Sequence, residues 1–181
     1  PSLERDLHRP GTWPARRWFL SSASQAKRHS GVGPSAQTLG RTQGAVVADL
    51  GFVEAFAKFG AKPVNPMWAV SAIAQDGALV LSCWAHNYKM GGKGVLVYAD
   101  SLSRWGGNEM GANLLRTHLQ QAIDGSLPVR MVVATTAETE LVDSGHDASK
   151  IKKTFHVRPE VVGQVVSFDG DNYVIEYRRA P

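Results

Sequence analysis

One stretch constrains this chain more than any other: Asn65 to Trp84, NPMWAVSAIAQDGALVLSCW. Two runs rich in apolar and β-compatible residues, Met67 to Ala74 and Ala78 to Trp84, flank Gln75-Asp76-Gly77. An Asp-Gly step supplies the positive φ angles of a tight turn, so the stretch predicts a β-hairpin. Side chains alternate across a strand, which places Trp68, Val70 and Ala72 on one face and Met67, Ala69, Ser71 and Ile73 on the other. Both faces are mostly apolar, and a hairpin of this kind needs cover on both sides.

Around it the pattern alternates between helix and strand. Val46, Leu50, Val53, Phe56 and Ala57 recur at helical spacing from Ala45 to a stop at Gly60. After Trp84 the segment AHNYKMGGKG reads as a polar, glycine-rich loop, and GVLVYA (94–99) as a third strand. Asp100 to Gly107 reads as a loop, and Asn108 as the cap of a second helix over Glu109–Ile123, whose Leu114, Leu115, Leu119, Ala122 and Ile123 form an apolar stripe. VRMVVA (129–134) predicts a buried strand, 135–153 a long loop of the kind that often carries function, and 154–157 a short strand. A second hairpin pairs Val161–Phe168 with Asn172–Arg178 across Asp169-Gly170-Asp171. The expected fold is α+β, with a mixed, mostly antiparallel sheet of about five to seven strands, two main helices, and one domain over 45–181.

Residues 1–44 are rich in Arg, Ser, Gly and Pro without sustained periodicity, as expected of a flexible, disordered basic arm. Its seven basic side chains face two acidic ones, a balance of +5, against a total of +4 for all 181 residues. The rest of the chain is therefore nearly neutral, and the whole-molecule basic field typical of nucleic-acid proteins is missing. The chain opens on Pro1 rather than Met, the start expected of a fragment or a processed product. Ala15 to Leu20 resembles a twin-arginine export signal, but Lys27, Arg28 and His29 interrupt the apolar segment such a signal requires. No run of about 18 apolar residues is present, so a membrane-spanning helix is not expected. The lone cysteine, Cys83, has no internal partner and is expected buried and inert. A cytoplasmic location fits these features.

Motifs for common chemistries are missing. The six histidines are scattered, without zinc-site spacing, so no metal site is expected. There is no G-x-S-x-G, Walker A or G-x-G-x-x-G motif, and no cofactor is expected. Gly91-Gly92-Lys93-Gly94 precedes a strand rather than a helix, which makes it a hairpin turn and not a phosphate loop. The element order over 45–134 resembles the core of the restriction-endonuclease-like nucleases. Such enzymes place an Asp on the second strand and an Asp/Glu-x-Lys on the third. Here ALVLSCW has no carboxylate, and GVLVYAD offers only Asp100. In wording, NPMWAVSA, GNEMGANLLRTHL, VRMVVA and HVRPEVVGQVVSFD resemble small uncharacterised bacterial proteins and domains of restriction and mobile-element neighbourhoods, over about residues 50–178. That resemblance implies a DNA-related role and names no catalytic residue.

The most coherent functional set is aromatic and basic. Trp84, His86, Asn87, Tyr88 and Lys89 leave the hairpin together, while Arg104, Trp105 and Asn108 lead into the second helix. If both segments meet at one end of the sheet, they can stack a base, hydrogen-bond its edge and contact a phosphate. Lys150, Lys152, Lys153 and Arg158 form a second basic patch, able to add phosphate contacts with Arg178 and Arg179. The expected partner is nucleic acid. The alternatives are a divergent metal-dependent nuclease, a small-molecule enzyme using the surroundings of His86 and Asp100, and a protein-interaction module or toxin-like effector.

Overall fold

A computed structural model describes residues 49–180. The expected arm over 1–44 and the start of the first expected helix lie outside these residues. The described chain is α+β, with three α-helices and an eight-stranded sheet. The helices are α1 (Phe52–Ala57), α2 (Glu109–Asp124) and α3 (Thr139–Asp143). The strands are β1 (Ser71–Ile73), β2 (Leu79–Trp84), β3 (Tyr88–Gly92), β4 (Val95–Ser101), β5 (Val129–Thr135), β6 (Thr154–Val157), β7 (Val161–Phe168) and β8 (Asn172–Arg179). Along the sheet they run β1-β2-β5-β7-β8-β4-β3, with β6 also paired to β5. All pairings are antiparallel except β2 with β5, which run parallel from Leu79↔Val129 to Trp84↔Ala134.

The Asp-Gly hairpin forms as its residues dictate. Gly77 adopts φ 84°, and the Asp76 carboxylate accepts from the Ala78 N–H at 3.0 Å. Ser71, Ala72 and Ile73 then pair with Leu81, Val80 and Leu79. The first strand is shorter than its apolar run predicts. Pro66 denies a ladder donor, and the Asn65 side chain accepts from the Met67 N–H at 2.8 Å, so residues 65–68 curl into a turn.

Strand β2 is covered on both faces. Leu79, Leu81 and Cys83 join α2 residues Leu115, Leu119 and Ala122 in one core. Val80 joins Phe56, Val132, Ala134 and Phe155 in the other. The first core holds all four tyrosines of the chain, Tyr88, Tyr98, Tyr173 and Tyr177. Their rings approach to centroid distances of 5.0 Å for Tyr88 with Tyr98, and 6.2 Å for Tyr98 with Tyr173. The sheet curves enough that the Tyr98 hydroxyl, on β4, reaches the Trp84 N–H at the end of β2.

Three expectations need correction. The first helix spans only Phe52–Ala57: Gly51 is extended at ψ 155°, and Leu50 forms a β-bridge with Phe155 instead of a helical turn. The glycine-rich segment after Trp84 is not a loop throughout. Tyr88–Gly92 pairs with β4 as an edge strand, turning through Gly94 at φ 75°, because Tyr88 gains more by burying its ring against Tyr98 and Tyr177 than by staying solvated. The long segment 135–153 carries α3 and a 3₁₀ turn over Ala148–Lys150. Among the described residues, no helix is long and apolar enough to cross a membrane.

Candidate functional site

The carboxyl ends of the parallel strands β2 and β5 leave Trp84 and Ala134 side by side. The carboxyl end of a parallel strand pair is a place where ligand crevices form in α/β sheets. A cavity of about 500 Å³ lies at this place, within the range of small-ligand sites. Its walls include the 66–70 segment before β1, residues 104–108 before α2, and residues 145–149 after α3. Trp68, Trp84 and Trp105 all line it, together with Arg104, Asn108 and Lys153.

Asn108 builds one wall. As the cap of α2, its side-chain oxygen accepts from the Gly111 N–H at 3.0 Å, while its amide donates to the Trp68 carbonyl at 3.0 Å. The tryptophan segment is thereby tied to the helix start. Gly111 makes room for this strut: a Cβ there would sit 2.4 Å from the Asn108 amide nitrogen and 2.5 Å from the Trp68 carbonyl oxygen. A second close approach joins the other walls, where a Cβ on Gly106 would lie 2.8 Å from the Gly145 carbonyl oxygen.

Arg104 builds the charged wall. Its Nε and Nη2 donate to the two oxygens of Asp100 at 2.8 and 2.6 Å, and its Nη1 donates to the Val142 carbonyl at 2.8 Å. Tyr98 donates to the same carboxylate at 3.0 Å. The bidentate carboxylate raises the guanidinium pKa despite the opposing effect of burial. Lys153 donates to the Ala148 and Ile151 carbonyls, and burial lowers its pKa. Both cations are therefore held in place rather than swinging in solvent.

The structure brings together Trp84, Arg104, Trp105, Asn108 and Lys153, and leaves the other expected site residues elsewhere. His86 does not line the cavity; its Nε2 lies 3.1 Å from Asp143 on α3. The Tyr88 ring packs into the core, and its buried hydroxyl has no partner among the described residues. Lys89 is exposed on the edge strand β3. Lys152 is exposed outside the cavity, and Arg158 pairs with Glu160 at 2.6 Å. Asp100, the one carboxylate the nuclease comparison offered and a centre of the small-molecule-enzyme alternative, is engaged by Arg104 and Tyr98. Among the described residues, no three His, Cys, Asp or Glu side chains are grouped as metal ligands.

Sequence reasoning missed Trp68, which reads as a hairpin face residue, and the 145–149 wall. The only advance signal for that wall was the unusual length of the 135–153 segment. The chain matches no protein-family model, no curated protein and no solved structure.

Proposed function

We propose that this protein binds nucleic acid by taking an unpaired base into the tryptophan-lined cavity. The observation that carries this reading is the convergence of Trp68, Trp84 and Trp105 with Lys153 around one space of about 500 Å³. Stacking a base on an aromatic ring contributes roughly 1–3 kcal/mol and works with any π face. Lys153, fixed by two carbonyls, offers its remaining N–H to a phosphate at the rim. Arg104 and Asn108 act here as positioning residues, since their hydrogen bonds hold the walls together.

The described part of the chain carries 13 basic and 14 acidic side chains, so it offers no broad track for a duplex backbone. An unpaired strand, held by one base and few phosphates, suits it better. The test is a titration with a short single strand, followed by intrinsic tryptophan fluorescence at several salt concentrations. Fluorescence should change on binding, and affinity should fall as salt rises. Undetectable binding at low salt, or affinity indifferent to salt, would overturn the reading.

A further inference from the structure

Residues 136–152 form a body of their own beside the cavity. Their ends are pinned together: Thr135 pairs with Thr154 across β5 and β6, and the Thr136 hydroxyl donates to the Lys152 carbonyl at 2.8 Å. Between these ends the backbone bonds inward. Gly145 donates to the Val142 carbonyl, His146 to Leu141, Lys150 to Asp147 and Ile151 to Ala148. Among the described residues, no backbone N–H of 137–151 donates beyond 136–152. A loop closed at its neck and folded on itself can move without breaking its own bonds.

Its hold on the rest of the domain is thin. Of residues 136–152, Val142 and Ile151 alone are buried. Arg104 donates to the Val142 carbonyl at 2.8 Å, Lys153 to the Ala148 and Ile151 carbonyls, and His86 Nε2 lies 3.1 Å from the exposed Asp143 carboxylate. The seam on the cavity side is bare backbone. A Cβ on Gly106 would lie 2.8 Å from the Gly145 carbonyl oxygen, and one on Gly145 would lie 2.7 Å from the Arg104 carbonyl oxygen. Two backbones that touch without interlocking side chains can part and close again without repacking. Segments with few buried apolar contacts open at lower free energy than the strands around them. Here the loosely held segment is also a wall, since Val142 and residues 145–149 line the cavity.

We infer that 136–152 is a flap that opens as one body about its neck and gates the entry of the ligand into the cavity. For the identity of that ligand, this rests on the reading that a base enters there. A base is attached to its strand through the backbone, so a wall that swings aside admits it from the flank. Closing returns Val142 and residues 145–149 to the wall and excludes water from the bound base.

The experiment uses the full chain. Hydrogen exchange read by mass spectrometry compares the amides of α3 with those of β5 and β6, and stopped-flow tryptophan fluorescence follows a short single strand binding and leaving. In the parent, the α3 amides should exchange at least about tenfold faster than those of β5. Gly106→Ala pushes a Cβ into the seam and should raise flap exchange about tenfold, the order expected of an overpacked contact, with β5 and β6 as in the parent. Asp143→Ala removes an exposed tether outside the cavity and should raise flap exchange about two- to fivefold. That variant weakens the closed state with or without a strand, so association and dissociation should quicken together while the Kd stays near the parent's. Flap amides that exchange in step with β5, or that Gly106→Ala leaves unmoved, would overturn the flap. Unchanged association in Asp143→Ala, with its flap exchange raised, would overturn the gating. A parent that binds no strand but shows the expected exchange would overturn the base-in-cavity reading and support the flap.

Discussion

Asp100 accepts from both Nε and Nη2 of Arg104 while its own side chain is only 3% exposed. Arg104 in turn reaches the Val142 carbonyl across the cavity wall. Removing one partner of a buried pair leaves the other uncompensated, an effect of roughly 3–5 kcal/mol when both are deeply buried. Arg104 is part exposed, so Asp100→Asn should destabilise by about 2–3 kcal/mol in urea unfolding, with weaker strand binding as the wall loosens. A stability equal to the parent would show that the ion pair does not hold the wall. Gly111→Ala tests the other wall. Alanine suits a helix better by about 1 kcal/mol, but the Cβ would press on Asn108 and a backbone oxygen. Overpacking of about 1–3 kcal/mol should win, lowering the urea midpoint. Cys83 is fully buried, and burial pushes its thiol up to about 12. At neutral pH it should react with a thiol reagent only as fast as the domain opens, and denaturant should accelerate the labelling sharply.

Between elements, α2 is joined to β1 by one polar contact in an otherwise apolar core. His118 Nδ1 lies 2.9 Å from the hydroxyl of Ser71, which is fully buried. Burial lowers the His118 pKa from its ordinary 6.5, because the charged imidazolium loses hydration there. The folded state thus holds this proton less tightly than the unfolded chain does. The associated stability is complete above pH 6.5 and is lost as pH falls from there toward the lower folded value. Urea midpoints should decline between pH 7 and pH 5, and His118→Gln should flatten that decline. An unchanged slope in the variant would assign the acid sensitivity to other groups. Strand β2 is the other element-scale dependency. Leu81 is fully buried in the core shared with α2, and Leu81→Ala should cost about 2–5 kcal/mol by urea unfolding.

For the whole molecule, the distribution of charge matters more than its total. The excess of basic residues lies in 1–44, while the described domain is close to neutral. Each neutralised phosphate on a single strand contributes a slope of about 0.7 to the dependence of log affinity on log salt. If the first 44 residues supply most phosphate contacts, replacing Arg9, Arg16, Arg17 and Arg28 by Gln should reduce that slope strongly. The tryptophan fluorescence change on binding should remain, because none of the described cavity residues is replaced. A slope that persists would place the phosphate contacts on the domain, with Lys153 the first residue to replace.

What the sequence determined by itself is local. Asp76-Gly77 specified a turn, Asn108 a helix cap, the 3.6-residue stripe a buried helix face, and the apolar residues on both faces of 79–84 a strand covered on both sides, since each depends on neighbours a few residues away. Tertiary structure decided the rest. Tyr88 left its polar neighbours for a ring cluster built from β3, β4 and β8, and Leu50 exchanged a helical turn for a bridge to Phe155. The cavity belongs wholly to that second category. Trp68, Trp84, Trp105 and Lys153 meet where segments from before β1, the end of β2, before α2 and before β6 converge beside the parallel pair of β2 and β5. That pairing joins residues 50 positions apart, through contacts that no local pattern encodes.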